Sequence, residues 1–176
     1  MKWSQLKTRI ESNFATSVAG RVQVWTTRYR GAHDADGEAW VTIDKQRVSS
    51  MGTLSYFEEK YTEATRIREE TGCLDYTNPE QRKGYFSAQD EAKRLVEEKN
   101  EFFTLWDFNH ALFAFLNLSI IEAIASDDPI IRAIATLDRR FGKRRLREYD
   151  DSGQPPLVQT LYRFRCKAEG IKSDSD

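Results

Sequence analysis

Cysteine, histidine and proline are scarce in this sequence, and their scarcity argues against several classes of protein. The 176 residues include two cysteines, two histidines and four prolines. Cys73 and Cys166 lie far apart and form no CxxC pair, which argues against a disulfide framework and the common zinc motifs. We therefore expect two free thiols in a reducing compartment and predict a cytoplasmic protein.

The glycines are too widely spaced for the common nucleotide-binding loops. The closest two are Gly31 and Gly37, so neither GxGxxG nor GxxxxGK occurs. The sequence also lacks a GxSxG nucleophile elbow and an HExxH zinc motif. Several enzyme classes thereby lose support, and we favour a protein that is not an enzyme and binds no cofactor.

The sequence shows neither a secretion signal nor a membrane span. The segment MKWSQLKTRIE contains no apolar stretch of the kind found in signal peptides. The most hydrophobic segment, FFTLWDFNHALFAFLNLSIIEAIA, is interrupted by Asp107, His110 and Glu122, whose burial in hydrocarbon would be costly. We expect this segment to form core helices, and we predict no membrane partner.

The composition is typical of a soluble globular protein. Hydrophobic residues make up 39% of the chain, charged residues make up 31%, and the formal net charge is −1. A chain of this length favours one domain, which we place at residues 1–170. Within it we predict a helix and sheet over residues 1–54, a helical part over residues 55–170, and a frayed tail at residues 171–176.

The hydrophobic spacing predicts the α+β fold class. An amphipathic helix is indicated by Trp3, Leu6, Ile10 and Phe14. The period then changes to two in GRVQVWTTRYR, GEAWVTIDK and RVSSMGT, which predicts a small three-stranded antiparallel meander with a tight turn near Asp44-Lys45. A C-terminal bundle of about five helices should follow.

Those helices are predicted from apolar stripes and from capping residues. One is expected from residue 55 to Thr71-Gly72, with Phe57, Tyr61, Ala64 and Ile67 inward. The next is expected from a Ser87–Asp90 capping box to about residue 105, after an irregular connection that leaves open a short turn after Pro79. The last three are expected over about 107–125, from Asp128-Pro129, and from Pro155-Pro156 to Gly170.

The segment RAIATLDRRFGKRRL, residues 132–146, contains six basic side chains in an otherwise mildly acidic chain. Its apolar residues keep helical spacing, so the cations could simply be the solvated face of a core helix. A basic helix over 132–147 could instead bind nucleic acid or a partner protein. Gly142 could also end the first helix and leave a separate short one. The candidate binding residues are Arg139, Arg140, Lys143, Arg144 and Arg147, and the surface could extend to Arg163, Arg165 and Lys167.

Two candidate sites lie in the predicted sheet. Alternation places Val22, Val24, Val41 and Ile43 on one face and Trp25, Tyr29 and Trp40 on the other. The aromatic face could stack a base or an adenine-like ligand, or a helix could cover it. At the hairpin tip, HDADGE (33–38) could hold a metal ion through His33, Asp34 and Asp36, or these residues could serve only the turn.

His110 is a further candidate, because it follows Asp107 by about one helical turn. The Asp107 carboxylate could orient the imidazole as in a general base. In so apolar a segment, His110 could equally be a core or helix-start residue.

Four segments together resemble a family of uncharacterised bacterial proteins of similar length. They are MKWSQLKTRIE, GRVQVWTTRYRGAHDADGEAWVTID, DDPIIRAIATLDRRFGKRRL and LYRFRCKAEGI. The resemblance implies a bacterial, cytoplasmic, single-domain protein and carries no assigned activity. Residues 118–142 also resemble a single HEAT-type helical repeat, which implies that Arg132 braces a turn through Asp127 or Asp128.

From these observations we predict a non-enzymatic bacterial cytoplasmic protein, such as an accessory, immunity-like or regulatory factor, whose partner is another protein. One alternative is a nucleic-acid-binding protein that uses the basic helix. A second alternative is a metal-dependent hydrolase centred on the hairpin tip. The sequence does not predict an oligomeric state.

Overall fold

The structure is a computed structural model that describes residues 1–31, 36–99 and 101–171. Within these ranges the chain forms three strands and eight helices, in an order that confirms the predicted α+β fold class. The strands are β1 (Val22–Arg28), β2 (Gly37–Ile43) and β3 (Gln46–Gly52). The helices are α1 (Trp3–Ser12), α2 (Thr53–Thr71), α3 (Pro79–Lys99), α4 (Leu105–Phe115), α5 (Ile120–Ile124), α6 (Pro129–Leu137), α7 (Lys143–Glu148) and α8 (Pro156–Glu169).

The three strands form an antiparallel meander in the order β1-β2-β3, as predicted. The turn between β2 and β3 has two central residues, Asp44 (φ 48°) and Lys45 (φ 70°). Positive φ at both positions is the geometry of a type I′ turn, whose twist matches that of the strands it joins. The predicted turn is therefore confirmed.

One face of the sheet belongs to the main hydrophobic core. Val22, Val24 and Val41 are fully buried, as the alternation predicts, and Ile43 is half-buried beside them. The helices that supply the rest of this core are α1, α4, α6 and α8, and their most deeply buried large residues are Leu6, Ile10, Phe108, Leu112, Phe115, Ile134 and Leu161.

Gly37, at the start of β2, lets helix α4 approach the sheet closely. A Cβ atom at this position would lie 2.0 Å from the carbonyl oxygen of Thr27 and 2.9 Å from Cδ2 of Leu105. Leu105 is the first residue of α4 and is buried. The missing side chain at Gly37 therefore fixes the distance between the start of α4 and the end of β1.

We expect Gly37→Ala to lower the free energy of unfolding by about 1–3 kcal/mol, because the clash is with backbone as well as with a side chain. Gly142→Ala is the matched control, since no heavy atom lies within 4 Å of a Cβ at Gly142. Urea titration measures both variants. Equal stabilities for the two would contradict this account of the α4 position.

Helices α2 and α3 form a hairpin whose details differ from the prediction. Helix α3 begins at Pro79, so Ser87 and Asp90 lie inside it and form no capping box. The side chain of Asn78 accepts a hydrogen bond from the backbone N–H of Glu80 at 3.0 Å and helps to start the helix.

Gly84 is part of α3, although the prediction places it in an irregular connection. A Cβ at Gly84 would lie 2.3 Å from Sγ of Cys73, so this glycine allows the chain after α2 to pack against α3. Close packing thereby outweighs the weak helix propensity of glycine.

The predicted inward stripe of α2 is wrong at two of its four positions. Phe57 and Tyr61 are exposed by 40% and 59%, whereas Ala64 is buried. The buried face of α2 also includes Thr53 and Arg68, and the guanidinium of Arg68 lies 3.7 Å from the ring centroid of Tyr85 on α3. The predicted end of α2 is confirmed, because Gly72 has φ 68° at the C-cap.

The C-terminal helices also differ from the prediction in two respects. The helix predicted over 107–125 is two helices, because Ser119 and Glu122 form a capping box that starts α5. The predicted frayed tail begins one residue too early, since Ile171 is buried against Phe141 and its neighbours. Residues 172–176 lie outside the described residues.

None of the helices in the described ranges is both long and apolar enough to cross a membrane.

Candidate functional site

The basic segment 132–147 is not a single helix, which corrects the predicted basic helix. Helix α6 ends at Leu137, and α7 begins only at Lys143. Asp138 leaves the helical conformation with φ −68° and ψ 137°, and its side chain is fully buried. The cations therefore lie on a turn and a separate short helix, one of the alternatives left open by Gly142.

A buried polar junction ends α6. The carbonyl oxygen of Leu137 accepts hydrogen bonds from the backbone N–H of Ala15 at 2.9 Å and from Nη1 of Arg165 at 2.8 Å. The carboxylate of Asp138 accepts from Nη2 of Arg140 at 2.9 Å and from the Arg140 backbone N–H at 2.7 Å. These bonds satisfy polar groups that would be costly to bury unpaired.

Arg165 is part of this junction and is only 3% exposed. Its Nε donates to the carboxylate of Glu169 at 2.9 Å. The hydroxyl of Ser17 donates to the same carboxylate at 2.6 Å, and Nζ of Lys143 lies 3.1 Å from it. The Ser17 hydroxyl, followed by Lys143 and Arg165, holds the pKa of Glu169 below its usual range. Burial lowers the pKa of Arg165.

The five predicted binding residues therefore fall into two groups. Arg140 and Lys143 have internal carboxylate partners, Asp138 and Glu169. Arg139, Arg144 and Arg147 are exposed, and Arg145 is exposed beside them. We call Arg139, Arg144, Arg145 and Arg147 the basic surface. Of the residues considered as its extension, Lys167 is exposed, whereas Arg163 is bound to Asp151 at 2.6 Å and Arg165 is buried.

Helix α7 displays this basic surface because its apolar side is anchored. Leu146 is fully buried, and the hydroxyl of Tyr162 on α8 donates to the Leu146 carbonyl at 2.7 Å. Arg144 is the most exposed of the cations that form ion pairs, at 84% of its side chain, and lies 3.7 Å from Glu148. Within the described ranges, no carboxylate lies within ion-pair distance of Arg139, Arg145 or Arg147.

We expect Arg165→Ala to lower the free energy of unfolding by about 3 kcal/mol, because it removes one partner of a buried charged pair. Lys167→Ala, two residues along the same helix and exposed, should change it by less than about 0.5 kcal/mol. Urea titration followed by circular dichroism measures both. The account fails if the two variants are equally stable.

The tryptophan face of the sheet is covered in part by two cations, Lys7 of helix α1 and Arg47 of β3. Trp25 and Trp40 are directly opposite each other in β1 and β2, with ring centroids 6.4 Å apart and planes 13° from parallel. Nζ of Lys7 lies 3.6 Å from the centroid of Trp25, and the guanidinium of Arg47 lies 4.0 Å from that of Trp40. Cation–π attraction stabilises both contacts.

Each covering cation also has a carboxylate partner, Glu11 for Lys7 and Glu38 for Arg47. Lys7 and Glu11 together satisfy both backbone groups of Val24 on the edge strand β1, with bonds of 2.7 and 3.0 Å. The face is therefore electrically balanced and its open edge is protected. Tyr29, the third predicted member, lies just beyond β1 and is 41% exposed.

The hairpin-tip metal site remains a prediction. His33 and Asp34 lie outside the described residues, and Asp36 is described at the start of the second strand, where its carbonyl accepts from the backbone N–H of Tyr29 at 2.8 Å. In the part of the chain that the structure describes, no three histidine, cysteine or acidic side chains are placed to hold a metal ion.

A groove with an aromatic wall lies between α1, the end of β1 and α4, and we call it the α1–α4 groove. It has a volume of about 590 Å³ and is lined by Met1, Lys2, Trp3, Leu6, Thr26, Thr27, Arg28, Leu105, Trp106, Asn109, His110 and Phe113. His110 is exposed here. The sequence did not indicate this groove, because its walls come from three separate segments.

The proposed orientation of His110 by Asp107 is wrong. The carboxylate of Asp107 accepts from the backbone N–H and the hydroxyl of Thr104, at 2.8 and 2.7 Å, and so completes the capping box of α4. A carboxylate committed to a helix start does not position the imidazole for general-base catalysis.

The comparisons with known proteins give one match. Residues 2–166 match the SF0329 protein family. The chain belongs to this family. No curated protein and no solved structure matches the SF0329 member significantly.

In this SF0329 protein, a short turn over residues 125–128 connects α5 to α6. The likeness of this region to a HEAT-type repeat stays a prediction. Asp128 caps α6 by accepting from the backbone N–H of Ile130 at 2.8 Å, as predicted. Arg132 braces the turn, but its Nη1 donates to the carbonyl of Ser126 rather than to Asp127 or Asp128. The predicted bracing role is therefore retained with a different partner.

Proposed function

We propose that this protein is a non-enzymatic bacterial cytoplasmic accessory factor, of an immunity-like or regulatory kind, that binds an acidic segment of another protein through the basic surface. The observation that carries the proposal is that the basic residues of this segment divide into two groups, one paired with carboxylates of the fold and one exposed to solvent. Arg140 and Lys143 are paired within the fold, whereas Arg139, Arg145 and Arg147 are exposed without a carboxylate partner in the described chain. Such a surface attracts negative charge.

An acidic protein segment fits this surface better than nucleic acid does. Proteins that bind single strands combine cations with exposed aromatic rings on which bases stack. The aromatic residues nearest α7 are Phe141 and Tyr162, which are buried, and Tyr149, which is half-buried. The tryptophan pair of the sheet is already covered by Lys7 and Arg47. The basic surface therefore supplies charge without a base-stacking platform.

The size of the surface supports the same choice. Helix α7 is six residues long, and Glu148 and Asp150 follow immediately after its last arginine. The affinity of a protein for nucleic acid rises with the number of phosphates that its cations contact, so an extended set of cations binds most tightly. The basic surface is short, and the acidic residues at its edge would repel an anion that extended past it. A short acidic segment of a protein therefore fits it best.

A direct test compares two probes of equal charge, a labelled polyglutamate peptide and a single-stranded oligonucleotide, by fluorescence anisotropy. We expect the peptide to bind at low salt and no more weakly than the oligonucleotide, with an affinity that falls as salt rises. The double variant Arg144→Glu/Arg147→Glu should weaken peptide binding by at least about tenfold, or 1.4 kcal/mol.

Arg82→Glu/Lys83→Glu is the matched control, because it reverses two exposed cations on helix α3. It should leave the affinity unchanged within about twofold. Tighter binding of the oligonucleotide would support the nucleic-acid alternative instead. Absence of peptide binding, or equal losses in the two double variants, would overturn the proposal.

A further inference from the structure

The α1–α4 groove combines cations and aromatic rings, and no carboxylate lines it among the residues that the structure describes. Its cations are Lys2 and Arg28, His110 also lines it, and none of the described lining residues is Asp or Glu. The whole chain contains 28 acidic residues and 27 Lys and Arg residues, whereas the only charged residues in the described lining of this groove are Lys2 and Arg28. Its electrostatic potential favours an anion.

Arg28 is the most available of these cations. It is the last residue of β1 and is exposed, and no carboxylate within the described ranges forms an ion pair with it. Its guanidinium lies 5.9 Å from the ring centroid of Trp106, at the outer limit of a cation–π contact. The planar donors of the guanidinium therefore remain available for a carboxylate or a phosphate.

The aromatic wall is formed by the outward side of α4. Trp106 and Phe113 are two helical turns apart and are exposed by 41% and 38%. The inward side of α4 already contributes Leu105, Phe108, Leu112 and Phe115 to the core. Trp106 and Phe113 therefore contribute little to the hydrophobic core and are available to contact a ligand. Trp3 of α1 lines the groove opposite this wall.

We propose that the α1–α4 groove binds a small molecule that carries a flat ring and one anionic group. The ring packs against Trp106, and the anion accepts hydrogen bonds from Arg28. A volume of about 590 Å³ lies within the range of small-molecule sites. This site is separate from the basic surface of α7 and does not depend on the function proposed for that surface.

The anion can be a carboxylate or a phosphate, since both fit a guanidinium in the same way. Two probes distinguish these sources: indole-3-acetate supplies a carboxylate on a flat ring, and adenosine monophosphate supplies a phosphate. Their neutral counterparts, 3-methylindole and adenosine, keep the ring and lack the charge. Binding is measured by isothermal titration calorimetry on the full chain, with tryptophan fluorescence as a second readout for the two adenosine probes.

We expect at least one charged probe to bind, and to bind about tenfold more tightly than its neutral counterpart. Arg28→Ala should remove that difference, whereas Arg82→Ala, an exposed arginine on α3, should preserve it. Trp106→Leu should weaken the charged and neutral probes alike, because it removes the ring contact. Thermal unfolding by circular dichroism confirms that each variant is folded.

Two results would overturn the proposal. One is the absence of binding of both charged probes at millimolar concentration. The other is an Arg28→Ala variant that is folded and still prefers the charged probe. The charged probe that binds more tightly identifies the anion as carboxylate or phosphate.

Discussion

The carbonyl group of Leu137 joins three separate stretches of the chain in one buried junction that also contains the carboxylate of Asp138. The chain after α1 reaches it through the backbone N–H of Ala15, and α8 reaches it through Arg165. A buried polar group that loses its partner costs free energy, so each of these stretches stabilises the others. The sheet is linked to this junction through α1, which packs against β1, and it also contacts α4 and α8 directly. This small polar cluster therefore acts together with the shared hydrophobic core to position the N-terminal helix and sheet relative to the C-terminal helices.

The same junction divides the arginine-rich segment into structural and exposed cations. Because Asp138 leaves the helical conformation, α6 stops before the first arginine pair, and Arg140 folds back onto the Asp138 carboxylate. Lys143 turns towards Glu169, and α7 is anchored through Leu146. The remaining arginines, those of the basic surface, are exposed to solvent. The proposed binding surface is thus a consequence of how the fold satisfies its buried charges.

Local sequence patterns predicted helices and strands correctly where hydrophobic periodicity alone determined the structure. The apolar spacing of Ile130, Ile134 and Leu137 predicted a buried helix, and the period of two predicted the sheet. Patterns failed where tertiary contacts outweighed local preference. The sequence around Arg165 is that of a cation on a solvated helix face. Its burial is possible because it donates to the distant Leu137 carbonyl and to Glu169, one helical turn further along α8. The α1–α4 groove was not predictable because Trp3, Arg28 and Trp106 come from elements that are brought together only by the fold.

Amide hydrogen exchange at Ala15 tests the central claim most directly. Ala15 lies outside any helix or strand, yet its N–H donates to the carbonyl of Leu137. If the junction stabilises the whole fold, this amide should exchange only on global unfolding, as slowly as the buried amides of helix α6. Exchange of Ala15 at the rate of an ordinary surface turn, while α6 remains protected, would contradict the account.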